Sequence, residues 1–136
     1  MDKNSKVQKL EDLVRYGKTT SFSVYKLAMF YKDNGLVFLD NLIYEKYDRL
    51  IMSMCSRVKF SDEEYSLYRM NPDRLSIDLY GTPALAHLIL YINRCNVVDF
   101  RKRNLQLIAP SHIEVIFQKI IAHEQKNIDK NHNSNL

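Results

Sequence analysis

The stretch spanning residues 71–124 constrains the fold more than any other part of the chain, because its punctuation is unusually complete. Asn71 is a helix cap and Pro72 suits the first helical position, where an amide hydrogen would be unpaired in any case. Leu75 and Leu79 share one helix face, and Gly81 supplies a left-handed stop. The device then repeats: Thr82 caps and Pro83 opens a second helix. Residues 84–92 of that helix are apolar nearly all round, so it is expected to be buried on most sides, ending near 93–96. A loop over 97–104 follows, and Leu105, Leu107 and Ala109 alternate with Gln106 and Ile108 as a strand closed by Pro110. Ser111 and Glu114 have capping-box spacing. Ile113, Ile116, Phe117, Ile120 and Ile121 then mark an amphipathic helix, and residues 126–136, rich in Asn and Lys, are expected to fray.

The amino-terminal half is less clearly written. Val7, Leu10, Leu13 and Val14 recur at helical spacing ahead of Gly17. Residues 18–23 read as a polar loop. Residues 22–31 are apolar and aromatic and fit either a helix or the start of a strand. Asp33-Asn34-Gly35 signals a turn. Leu39, Ile43, Tyr47, Leu50, Ile51 and Met54 form a stripe that predicts a helix over 40–55, with Met52 and Met54 as packing residues. Ser61 and Glu64 are also spaced for a capping box, but 65–70 lacks an apolar helix face and is Tyr-rich, which points to a short strand.

These elements define an α+β chain, mostly helical. The expected organisation is a helical or extended arm region over 1–60, a core with its carboxy-terminal helix over 61–126, and a flexible tail over 127–136. With 136 residues, 46% of them hydrophobic, and only three Gly and three Pro, the chain has enough apolar material for a modest core and little for long linkers. Cys55 and Cys95 stand alone, which fits a reduced intracellular setting better than a disulfide scaffold. The amino terminus lacks a signal-peptide core, and no stretch approaches the ~18 apolar residues of a membrane span.

A search for chemistry finds no constellation. His87, His112, His123 and His132 are outside any zinc spacing, Cys95 lacks a local nucleophile signature, and there is no phosphate-binding glycine loop. Neither a metal nor a cofactor is expected, and Asp62, Glu63 and Glu64 read as solvated or capping acids. The charge of +4, with a pI near 9.0, is spread along the chain and requires no nucleic-acid partner. Nine Tyr and six Phe with no Trp suit protein contacts, since Tyr buries a ring and keeps its hydroxyl wet. The candidates for such contacts are Phe22, Tyr25, Phe30, Tyr31, Tyr44, Tyr47 and Phe100, with the basic run Arg101, Lys102 and Arg103. That run suits an acidic partner patch, a phosphate or solvent. Phe100 beside it is either an interface anchor or a plug for the core.

Leu75, Tyr80-Gly81, Leu85, Asn93 and the strand at 105–110 are placed as in a LysM module, a glycan-binding unit built as strand, two helices and strand. LysM modules usually open on a Gly-Asp-Thr-type stretch, where this chain has Arg69-Met70-Asn71-Pro72. A closer resemblance is to the small baseplate wedge proteins of T-even-like contractile-tailed bacteriophages, which carry a LysM-like core. It rests on Pro72-Asp73-Arg74-Leu75 leading into Leu79-Tyr80-Gly81-x-Pro83-x-Leu85. It continues through the apolar helix ending at Asn93, Leu105-Gln106-Leu107-Ile108-Ala109, and Ser111-x-Ile113. Relatives often have aromatic residues where this chain has Ala86 and His87. The resemblance implies a LysM-like β-α-α-β core and a non-enzymatic structural subunit of the tail baseplate, present in several copies per virion. It further implies contacts with other wedge and hub proteins, assembly in the host cytoplasm, and no nucleic-acid or membrane partner. The alternative that it implies is a LysM-type module binding peptidoglycan or chitin.

Overall fold

The computed structural model describes residues 7–15 and 40–134. Among them the chain forms three strands, seven α-helices and one short 3₁₀ turn. The order is β1 (Val7–Lys9), α1 (Leu10–Arg15), α2 (Asp40–Lys46), α3 (Asp48–Ser53), β2 (Cys55–Lys59), α4 (Asp62–Tyr68), α5 (Pro72–Tyr80), the 3₁₀ turn (Pro83–Leu85), α6 (Ala86–Ile92), β3 (Asn104–Ile108) and α7 (Pro110–Ser134). This is an α+β fold dominated by helices around one small sheet.

The sheet is ordered β1-β2-β3. β1 runs parallel to β2 with Val7 opposite Arg57, and β2 runs antiparallel to β3 with Cys55 opposite Ile108 and Lys59 opposite Asn104. The ladder continues one step past β2, where the Phe60 amide donates to the Arg103 carbonyl at 2.7 Å. Val58, Leu105 and Leu107 point to the packed face and are buried. The sheet therefore joins residues from both sides of position 60, and one continuous apolar cluster runs from Leu10 through Val58 and Leu75 to Ile120.

The segment over 71–93 forms as its punctuation dictates. The Asn71 side chain accepts the Arg74 amide, Pro72 opens α5, and Gly81 ends it at φ +77° with its amide on the Ile77 carbonyl. Thr82 accepts the Ala84 amide, and Pro83 opens a 3₁₀ turn that becomes α6. The buried Ser76 hydroxyl joins these helices: it donates to the Thr82 carbonyl and accepts the Leu85 amide. Leu75, Leu79, Leu85, Leu88, Ile89 and Ile92 pack inward, so the all-round apolar character of α6 reflects contact on several sides. Ile113, Ile116, Phe117 and Ile120 of α7 are fully buried, as their spacing predicts.

Several elements differ from the sequence reading. Residues 65–70 are not a strand: Ser61 and Glu64 complete a capping box, with Ser61 Oγ accepting the Glu64 amide and Glu64 Oε1 accepting the Ser61 amide, and α4 follows. Only Tyr68 of α4 is fully buried, which is why its apolar face is hard to see in the sequence. The predicted helix over 40–55 turns at Tyr47 and stops at Ser53, and Cys55 already belongs to β2. Val7 begins a strand, with the helix starting only at Leu10. Ser111 is not a cap, because Pro110 begins α7 one residue earlier. The loop at 18–23, the segment at 22–31 and the turn at 33–35 lie outside the described residues.

Candidate functional site: an apolar and basic rim beside the sheet

Of the contact candidates read from the sequence, Phe22, Tyr25, Phe30 and Tyr31 lie outside the described residues. Tyr44 and Phe100 are fully buried by the chain itself. Tyr44 packs on Tyr91 with ring centroids 5.6 Å apart. Phe100 is therefore the core plug, and its ring is not presented to a partner.

Tyr47 is half-buried and belongs to a polar knot between α2 and α7. Its hydroxyl donates to Glu124 Oε1 at 2.6 Å and lies 2.8 Å from His123 Nδ1, while Lys46 Nζ reaches the same Glu124 oxygen at 2.6 Å. Glu124 follows Ile120 by four residues on the buried stripe of α7, so a carboxylate is drawn into the packed face and held there by charge and hydroxyl donors. The sequence signal for this was available: an acid in register with an isoleucine stripe.

Arg101, Lys102 and Arg103 are all exposed. Lys102 Nζ donates to the Asn93 carbonyl at 3.1 Å. Arg103 pairs with Asp62, and its guanidinium lies 4.4 Å from the Tyr65 ring centre. Only Arg101 of the three is without a side-chain bond among the described residues. The run is thus partly a set of tethers for the loop ahead of β3.

That loop carries a feature the sequence reading missed. Val97 and Val98 are exposed, Val98 at 63%, and the Phe100 amide folds back on the Val97 carbonyl. Met70 is tied to the same loop, its amide donating to the Phe100 carbonyl at 2.5 Å. Met70 is 45% exposed and adopts φ +52°, a left-handed conformation that costs a non-glycine residue of order 1 kcal/mol. Leu67, one turn earlier on α4, is also exposed. Leu67, Met70, Val97 and Val98 thus form an exposed apolar rim on two segments tied together at the buried Phe100, with Arg69 and Arg101 next to it in the chain.

Two hydrogen-bonded groups fix the end of α6 on which this loop depends. The buried Asn93 amide nitrogen donates to the Ile89 and Gln106 carbonyls, both at 2.9 Å, and its oxygen accepts the Gln106 amide at 2.8 Å. A side chain thus pairs the outer edge of β3 as a neighbouring strand would. Arg94, at φ +51°, follows in the helix-ending position usually given to glycine. Its guanidinium donates to Asp48 at 2.8 Å and stacks 4.6 Å from the Tyr91 ring centre, and the Tyr91 hydroxyl donates to the same carboxylate. The Tyr91 hydroxyl and the Arg94 guanidinium hold the Asp48 carboxyl below the usual range, and Arg94 is pushed up by Tyr91 and Asp48.

Among the described residues, no group of three or more His, Cys, Asp or Glu is arranged to hold a metal. No helix among them is long and apolar enough to cross a membrane. Cys55 is buried in β2, where burial pushes its thiol up to about 12, and Cys95 is half-buried and also raised by burial. The arrangement offers exposed apolar side chains and neighbouring cations. Comparison with known proteins finds no matching family model, no matching curated protein and no matching solved structure.

Proposed function

We propose that the protein is a structural subunit of the baseplate wedge of a contractile phage tail, joining neighbouring baseplate proteins during assembly. The observation that carries this reading is the apolar rim of Leu67, Met70, Val97 and Val98 beside the basic run at 101–103. Exposed aliphatic side chains have no use in water, and one of them occupies a backbone conformation that a smaller residue would hold more cheaply. The resemblance described above supports the same reading, since its residues Leu75, Leu79, Tyr80 and Leu85 are the ones that build the core on which the rim rests. In this role the chain performs no bond-making or bond-breaking. Wedge and hub proteins bury its rim, several copies enter each virion, and association takes place in the host cytoplasm.

The test is assembly. Expressed alone, the chain is expected to self-associate through its rim, and coexpression with wedge proteins from the same phage is expected to give a stoichiometric complex. Replacing Val97, Val98 and Met70 with Ser is expected to abolish that complex while leaving the fold intact by circular dichroism. Infectious tails assembled without the protein would overturn the reading.

A second reading, a LysM-type glycan module, draws on the antiparallel β2–β3 pair that brackets the central helices. Three helices stand between these strands where a LysM module has two. Saturable binding of chitin or peptidoglycan fragments in a calorimetric titration would replace the first reading with this one.

A further inference from the structure

The face of the sheet opposite Leu105 and Leu107 carries cations in register. Lys9 stands opposite Lys59, and Lys59 opposite Asn104, while the neighbouring row reads Val7, Arg57 and Gln106. Lys9, Arg57 and Lys59 are all exposed. Like charges directly opposite across paired strands are destabilising, and among the described residues neither Lys9 nor Lys59 has an ion-pair partner to offset it. A hollow of about 490 Å³ opens beside Arg57 and Gln106, walled by Arg94 and Lys102, and the residues lining it include no carboxylate. Lys9 and Lys59 line the next hollow together with Glu11 and Glu64, where Glu64 is engaged by the Ser61 amide and neither acid lies within ion-pair distance of the lysines.

We propose that this open sheet face is a docking surface for a carboxylate-bearing segment of another protein. The two rows are separated by two residues, about 6.6–6.8 Å, which is the repeat of alternate side chains along an extended acidic segment. Asn104 and Gln106 add amide donors to both rows. The segments outside the described residues are basic on balance: residues 1–6, 16–39 and 135–136 contain Asp2 and Asp33 as their only acidic side chains, against Lys3, Lys6, Lys18, Lys26 and Lys32. Single-stranded nucleic acid fits less well, because the face bears no aromatic ring on which a base could stack. The proposal is independent of the assembly to which the protein belongs.

The experiment is a titration of the full, isotope-labelled chain with poly-L-glutamate, followed by amide chemical shifts, beside a titration with duplex DNA at the same ionic strength. Saturable shifts at 7–9, 57–59, 102 and 104–106 are expected. The Lys9→Gln/Lys59→Gln variant is expected to bind at least about tenfold more weakly while unfolding at the same or a higher temperature, because the facing lysines are gone. Lys102→Gln gives the same test on a loop, without altering the sheet, and is also expected to weaken binding. Lys119→Gln, on α7, is expected to bind as the natural chain does. Failure of poly-L-glutamate to saturate, or undiminished binding by the double variant, would overturn the proposal. So would tighter binding of the DNA duplex, which assigns the face to phosphate, or a salt-sensitive dimer, which assigns it to a second copy.

Discussion

Asn93 and Arg94 show how much a single position can carry in this chain. Asn93 satisfies both backbone groups of Gln106 and adds a second bond to the Ile89 carbonyl, which its own amide also reaches, so truncating it takes the side-chain partner from the half-buried Gln106 amide and carbonyl. Asn93→Ala is expected to cost about 2–3 kcal/mol in urea unfolding, and Asn93→Asp to lose more of the fold near neutral pH than in acid, since a charged carboxylate cannot donate to the two carbonyls. Arg94 accepts backbone strain in exchange for its guanidinium contacts. Arg94→Ala loses the pair with Asp48 and keeps the strain, whereas Arg94→Gly loses the pair and relieves it, so the glycine variant is expected to be the more stable of the two by about 1 kcal/mol. The Asp48 carboxyl is held below its usual value of about 3.9. Its contribution is therefore present above that value and is lost as the pH falls through the folded value; thermal unfolding of Asp48→Asn against the natural chain from pH 6 to pH 3 should show the two curves converging in acid. None of this was legible in the sequence, where Asn93 marks only a helix end and Arg94 only a surface cation.

At the scale of elements, the helix termini were the readable part. Caps act through local geometry: Asn71, Pro72, Gly81, Thr82 and Pro83 place their groups within four residues, so spacing alone reveals them. The same physics applies at Ser61, where a capping box outweighs the strand propensity of the Tyr-rich residues behind it. Ser61→Ala is expected to cost about 1 kcal/mol and to loosen Tyr68, whose hydroxyl donates to Asp78 at 2.7 Å across to α5. Burial and that bond push the Tyr68 phenol up to about 12 from its usual 10. Its neutral form is thus favoured in the folded chain, and the stability it lends is complete below pH 10 and lost between pH 10 and 12, which alkaline unfolding of Tyr68→Phe against the natural chain would measure. The strands were harder. β2 has five residues with two buried, and one helix stripe runs up to it without a break, so only its two partners identify it as the central strand.

Across the whole molecule, the core and its polar knots tie distant segments together. Cys55 lies on the central strand and is buried, while Cys95 is half-buried near the end of α6. A thiol reagent near neutral pH is expected to modify Cys95 first and Cys55 only at the rate of global unfolding, giving two well-separated phases. The Lys46–Glu124–Tyr47 knot joins positions 78 residues apart. Glu124→Gln is expected to lower stability by about 1–2 kcal/mol, read as the urea midpoint, because charge-assisted bonds to a buried acceptor are weakened.

The amino-acid sequence by itself determined the helix-rich class of this protein, the cap-to-cap layout of residues 71–93 and the buried stripe of α7, because each follows from interactions within about one or two turns. It did not determine that Cys55–Lys59 would pair with Val7–Lys9 on one side and Asn104–Ile108 on the other, that Phe100 would turn inward while Val97 and Val98 stayed in water, or that five cations would gather over one side of the sheet. Those outcomes depend on contacts between residues 45 or more positions apart, or on which of several apolar side chains the core has room to enclose. Both are settled by the geometry of the assembled chain and leave no periodic trace along it.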